Sequence, residues 1–151
     1  MVSRRIGLFG GSFDPVHSAH VMMARAALNE LQLDRLFIIP ATRSPFKPEQ
    51  QPAPGEVRLA MLKAAFEKES GCEIERLELE REGVSYAIDT VRAFAGRFPD
   101  SELFYLIGAD HVPTLTQWHE AGALAKILTF VVVPRPGGPE VEFPETFAGR
   151  C

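Results

Sequence analysis

"GLFGGSFDPVHSAH", residues 7–20, runs from an apolar stretch through Gly10, Gly11 and Ser12 into Asp14 and two histidines, His17 and His20, three positions apart. Its apolar start, within IGLF, reads as a first strand. From Ser18 to about Leu31 the residues Val21, Ala24, Leu28 and Leu31 recur at helical spacing. A strand that turns through glycines into a helix is the opening unit of a parallel α/β sheet, and the rest of the chain repeats that alternation.

LFIIP reads as a second strand, apolar enough to be covered on both faces. Residues 40–55, PATRSPFKPEQQPAPG, carry five prolines and read as a long loop, because proline stops helices and gives a sheet no donor. Helix resumes near Glu56 with Leu59, Leu62 and Phe66 on one face, and CEIERLELE alternates weakly as a third strand. Ser85 is the expected N-cap of the next helix, in which Ile88, Val91, Ala95 and Phe98 keep the period. ELFYLIG and LTFVVVP complete the strands, with one helical stretch near residues 111–126 between them. The expected fold is α/β: a Rossmann-like, doubly wound parallel sheet of about five strands with right-handed crossover helices on both faces.

Length and composition agree with a single domain over residues 1–151: 46% of residues are hydrophobic and 24% charged, ordinary globular usage. The net charge of −4 argues against a general nucleic-acid binder, although residues 1–50, with six basic and four acidic side chains, are net positive. Cys72 and Cys151 form no C-x-x-C pair, so neither a disulfide framework nor a zinc knuckle is indicated. No apolar run has signal-peptide or membrane-spanning length, which gives a cytoplasmic expectation and no membrane partner.

In doubly wound sheets ligands bind beyond the carboxyl ends of the strands, and residues 10–20 fall there. Glycines let backbone N–H groups approach a phosphate, and a helix N-terminus favours negative charge. The spacing is neither G-x-x-x-x-G-K-[ST] nor G-x-G-x-x-G, so from the glycines alone a phosphate cradle and a plain tight turn both stand. His17 and His20 share one face of the first helical turn, as ligand donors or as a capping or core pair. No third ligand stands at a zinc spacing, so no protein-bound metal is expected.

The stretch Gly10-Gly11-Ser12-Phe13-Asp14-Pro15-Val16-His17-Ser18-Ala19-His20 resembles the G-G-[ST]-F-D-P-x-H-x-G-H signature of the nucleotidyltransferases that transfer adenylyl groups from ATP, with Ala19 in place of a glycine. SYAIDT at 85–90, IGADHVPTLTQW at 107–118 and RPG at 135–137 resemble bacterial nicotinate-mononucleotide adenylyltransferases in order and spacing, so the likeness covers nearly the whole chain. It implies adenylyl transfer from ATP to nicotinate mononucleotide, giving nicotinate adenine dinucleotide and pyrophosphate in NAD biosynthesis.

The resemblance also implies the site. His17, His20 and Lys47 are its catalytic candidates, Lys47 in a P-H-K-like element where Phe46 replaces the histidine. Gly10, Gly11, Ser12, Phe13, Asp14, Gly108, Asp110 and Arg135 would hold ATP and its phosphates, and Ser85, Tyr86 and Trp118 the nicotinate mononucleotide. Outside the resemblance, Trp118 reads as core packing and Lys47 as a solvated lysine, while Asp110 reads equally as a helix cap. Mg²⁺ is expected with ATP, and no tightly bound cofactor.

Such enzymes continue past RPG to a serine-rich I-S-S-T-x-I-R phosphate element, and residues 138–151, GPEVEFPETFAGRC, contain nothing like it. The chain is therefore expected to be short at its C-terminus, with LTFVVV beside an uncovered edge and self-association through that region. The alternatives are a non-catalytic nucleotide-binding module, a truncated enzyme, or an adenylyltransferase for nicotinamide mononucleotide or phosphopantetheine.

Overall fold

The computed structural model describes residues 4–11, 13, 16, 18–41, 55–80 and 86–133, with the backbone alone at 108–111 and 133. The elements are β1 (Arg4–Gly11), α1 (Ser18–Glu30), β2 (Arg35–Pro40), α2 (Gly55–Phe66), β3 (Cys72–Ile74), α3 (Ala87–Arg97), β4 (Ser101–Gly108), a 3₁₀ helix (Ala109–Gln117), α4 (Ala121–Ile127) and β5 (Thr129–Val133). Every strand pair is parallel and the order is β3-β2-β1-β4-β5. This is the doubly wound, Rossmann-like sheet that the alternation of apolar runs and helical periods predicts.

Alternate residues of each strand enter different cores, which is why the central strands are apolar throughout. Ile6, Leu8, Ile39 and Leu103 pack with Ile88, Val91 and Phe94 of α3 and Leu124 of α4. Phe9, Leu36, Ile38 and Leu106 pack with Ala24 and Ala27 of α1 and Leu62 and Phe66 of α2. The chain moves outward from β1 through β2 to β3, and α3 then carries it back to β4 on the other side of β1. The strand order thus reverses between β1 and β4, and the crevice at their carboxyl ends is the switch point of the sheet.

Several local expectations are corrected. CEIERLELE is a strand only over Cys72–Ile74. Beyond it, Leu79 and Glu80 donate their N–H groups to the Arg76 carbonyl in a turn, and Glu78 is carried inward. The N-cap of α3 is Tyr86, in extended backbone, rather than Ser85, which lies outside the described residues. The buried face of α3 centres on Ile88, Val91 and Phe94, leaving Ala95 and Phe98 at its margin. The stretch near 111–126 is not one helix: a 3₁₀ helix containing Pro113 is separated from α4 by Glu120 in left-handed backbone, φ 51°. Residues 42–54 of the proline-rich loop lie outside the described residues.

Among the described residues β5 pairs with β4 alone and no helix is long and apolar enough to cross a membrane. Cys72, in β3, is half-buried. Burial, with the Glu69 charge adding, pushes its thiol up to about 11. The raised value means that its contribution to stability falls as pH rises from about 8.5 toward that value. At pH 8, alkylation of Cys72 by iodoacetamide, followed by peptide mass mapping, is expected to be roughly 10²-fold slower in the native chain than in denaturant.

Candidate functional site

The two glycines at the end of β1 have different reasons to be glycine. A Cβ on Gly10 would stand 2.4 Å from the Tyr105 hydroxyl oxygen and 3.3 Å from its Cζ, so the bare backbone makes room for a buried tyrosine from β4. Among the described residues, the atoms nearest a Cβ on Gly11 are those of the Phe13 ring, from 3.5 Å, an ordinary contact. Packing therefore accounts for Gly10, whereas among the described residues nothing crowds Gly11. Gly11 is also clasped from β2: its carbonyl accepts the Ala41 N–H at 2.8 Å.

Phe13 has φ 46°, a left-handed backbone that costs a non-glycine residue ~1–3 kcal/mol and must be held by its surroundings. It is held by its ring. Phe13 is buried and lies edge-on to Phe9, with centroids 5.3 Å apart, and to His20, 4.9 Å apart. His20 is the third residue of α1, half-buried, with a further edge contact to Phe9 at 6.0 Å. The turn thus sets the imidazole in a fixed attitude beside the end of β1 and the first turn of α1. His17, Ser12, Asp14, Lys47, Ser85 and Arg135 lie outside the described residues.

On the β4 side, Gly108 ends the strand and Asp110 is the second residue of the 3₁₀ helix that leaves it. Tyr86 and the Trp118 region, far apart in sequence, come together. The Tyr86 ring stacks on His119, centroids 4.4 Å apart and planes 30° apart. Trp118 is partly a core residue: its ring is edge-on to Tyr105 at 5.9 Å and to Phe130 at 5.7 Å, and its indole N–H donates to Thr114 Oγ1 at 3.2 Å. It is only partly buried, so core packing and an aromatic face toward a ligand are compatible. His119 carried no sequence signal, because its partner is 33 residues away and belongs to another element.

Polar groups are buried behind this surface. Thr90 Oγ1 donates to the Glu78 carboxylate at 2.6 Å, both residues being buried. Burial, and then the Glu78 charge, pushes the Tyr105 phenol far above its usual range, so its hydroxyl stays protonated against Gly10. Arg58 of α2 is only 2% exposed and donates from Nη1 to the Ala41 carbonyl at 2.5 Å. Sequence reasoning missed Arg58, yet a signal existed: it lies on the stripe with Leu62 and Phe66 at steps of four, where a charge is rare unless held. Among the described residues no group of three or more His, Cys, Asp or Glu side chains is assembled to hold a metal ion.

The cytidylyltransferase-like family model matches residues 8–149. A probable nicotinate-nucleotide adenylyltransferase of Gemmatimonas aurantiaca is 46% identical over 136 residues, which is 90% of this chain and 64% of that relative. One from Opitutus terrae is 41% identical over 97% of this chain and 77% of its own length. The nicotinate-nucleotide adenylyltransferase of Bacillus subtilis is 37% identical over 96% of this chain and 77% of its own. The chain thus spans from under two thirds to about three quarters of these relatives. Among solved structures, the Plasmodium falciparum nicotinic acid mononucleotide adenylyltransferase complexed with NaAD superposes with a TM-score of 0.77 over 91% of this chain and 67% of that one. At 18% identity that likeness speaks for the fold.

Proposed function

The chain belongs to the cytidylyltransferase-like family and, within it, to the nicotinate-nucleotide adenylyltransferases, and from that premise we propose that it transfers the adenylyl group of ATP to nicotinate mononucleotide. The phosphate oxygen of the mononucleotide attacks the α-phosphorus, a P–O bond forms, and the bond to the β-phosphate breaks with release of pyrophosphate. The attacking oxygen already carries negative charge, so no general base is needed; the protein's task is to align two anions and meet the charge in flight. The observation that supports this reading best is the pairing, at the switch point, of a side-chain-free Gly11 with an imidazole held by Phe9 and Phe13.

In this reading the N–H groups of the glycine turn and the α1 N-terminus take phosphate oxygens, together with Ser12 and Phe13, while the Asp14 carboxylate fixes the loop by accepting backbone hydrogen bonds. His20, with His17, donates to the α-phosphate as charge moves toward pyrophosphate, and Lys47 and Arg135 offset the remaining charge. Gly108 and Asp110 meet the ATP ribose, and Ser85, Tyr86 and the exposed part of Trp118 meet the nicotinate mononucleotide. Mg²⁺ arrives on the triphosphate as part of the substrate, and the reaction belongs to NAD biosynthesis in the cytoplasm.

Gly11→Ala is expected to raise the KM for ATP about tenfold or more, the loss of one charge-assisted bond, with an unchanged melting temperature because the methyl meets only ordinary contacts. Steady-state kinetics beside thermal melts check it. The function itself is tested by incubating the chain with ATP, Mg²⁺ and, separately, nicotinate mononucleotide, its amide and phosphopantetheine. Dinucleotide from the first acceptor is the expected product. Turnover only with another acceptor assigns a different substrate, and stabilisation by ATP without pyrophosphate release makes the chain a binding module.

A further inference from the structure

We propose that Arg58 is a positioning residue for the glycine turn, a role that rests on adenylyl transfer taking place there. β1 and β2 run in register to their ends, with Gly11 opposite Pro40. In a parallel ladder the carbonyl of one residue takes the N–H of the residue after its partner, so the terminal bond from β2 to β1 comes from Ala41, whose N–H donates to the Gly11 carbonyl at 2.8 Å. Ala41 is at the same time held through its own carbonyl, which accepts Arg58 Nη1 at 2.5 Å. Gly11, Ala41 and the guanidinium therefore form one continuous series of hydrogen bonds from α2 to the phosphate-facing end of β1.

A charge in the apolar stripe of α2 is costly to desolvate, and a hydrophobic residue beside Leu62 and Phe66 would pack there without that cost. What the guanidinium adds is a planar, rigid donor that reaches past the helix to a strand end. If the clasp loosens, the Gly11 carbonyl and the N–H groups of the turn lose their fixed attitude toward the reacting phosphates. Misplacement by about 1 Å is enough to cost about 10²-fold in rate.

The test compares the 151-residue chain with Arg58→Met and Arg58→Lys, reading kcat and KM for both substrates and the exchange of the Ala41 backbone amide by NMR, with the Leu106 amide as a marker of the intact core. Arg58→Met is expected to lower kcat about 10²-fold with little change in either KM. Ala41 exchange is expected to accelerate while Leu106 stays protected, and Arg58→Lys to fall between the two. A folded Arg58→Met protein with wild-type kcat, or with unchanged Ala41 exchange, overturns the proposal. A role in stability alone would lower the melting temperature and leave kcat per folded molecule untouched. Should Arg58→Met not fold, Arg58→Lys decides: faster Ala41 exchange with reduced kcat supports the proposal, and wild-type values in both overturn it. If the wild-type chain makes no dinucleotide, the functional reading falls by itself, while Ala41 exchange still decides whether Arg58 holds the clasp.

Discussion

His20→Phe is expected to lower kcat about 10²–10³-fold, a loss of ~2.7–4 kcal/mol in the transition state, while leaving the melting temperature close to that of the wild type. The two halves of this expectation come from different contacts. A phenyl ring replaces the imidazole against Phe13 and Phe9, whose centroids lie 4.9 and 6.0 Å away, so the packing that holds the turn is kept. The ring N–H that the proposal assigns to the developing charge is lost. His20→Ala removes both, and is expected to lose stability as well as rate because it leaves a gap beside Phe13, whose left-handed backbone depends on its neighbours. Initial rates at saturating substrates, with thermal melts of both variants, separate the two effects. Full kcat in His20→Phe would remove His20 from the catalytic machinery.

Gly10→Ala is expected to destabilise the fold by ~1–3 kcal/mol, the range for overpacking a filled core. For a chain of this length each kcal/mol lowers the melting temperature by roughly 2–4 °C. The new methyl would stand 2.4 Å from the Tyr105 hydroxyl oxygen, and the Tyr105 ring is buried among Trp118, Phe130 and the β1–β4 core, so it has little room to yield. Tyr105→Phe removes the clashing atom and leaves Cζ at 3.3 Å, a contact that an adjustment of a few tenths of an ångström relieves. The double variant is therefore expected to recover most of the loss. A double-mutant cycle reads this directly, and additive single effects would contradict the contact.

How much of this was legible in the sequence follows from where the deciding contacts lie. β1, β2 and β4 were legible because strands covered on both faces are apolar without interruption, and α1 and α2 because Ala24, Leu62 and Phe66 recur at helical spacing. The position of the switch point followed from the fold, since it lies where the first strand turns into the first helix. The extent of β3 was not legible. After Ile74 the chain leaves the strand in the Arg76 turn, and Glu78 turns inward to meet Thr90, a partner in another element. The separate 3₁₀ helix and α4 depend on Glu120 adopting left-handed backbone, which a glutamate does not announce. The two glycines looked alike in the sequence and differ only because Tyr105 arrives from β4 beneath one of them.

The central claim is a single direct transfer, with the protein aligning two anions and forming no covalent intermediate. The measurement that tests it most directly is the stereochemical course at the α-phosphorus, using ATP with one α-oxygen replaced by sulfur in a single configuration and nicotinate mononucleotide as acceptor. The account predicts a dinucleotide with inverted configuration at that phosphorus, together with one pyrophosphate for each dinucleotide. Retention would show two displacements through an adenylylated side chain and contradict the mechanism, and no dinucleotide from the folded chain would contradict the function.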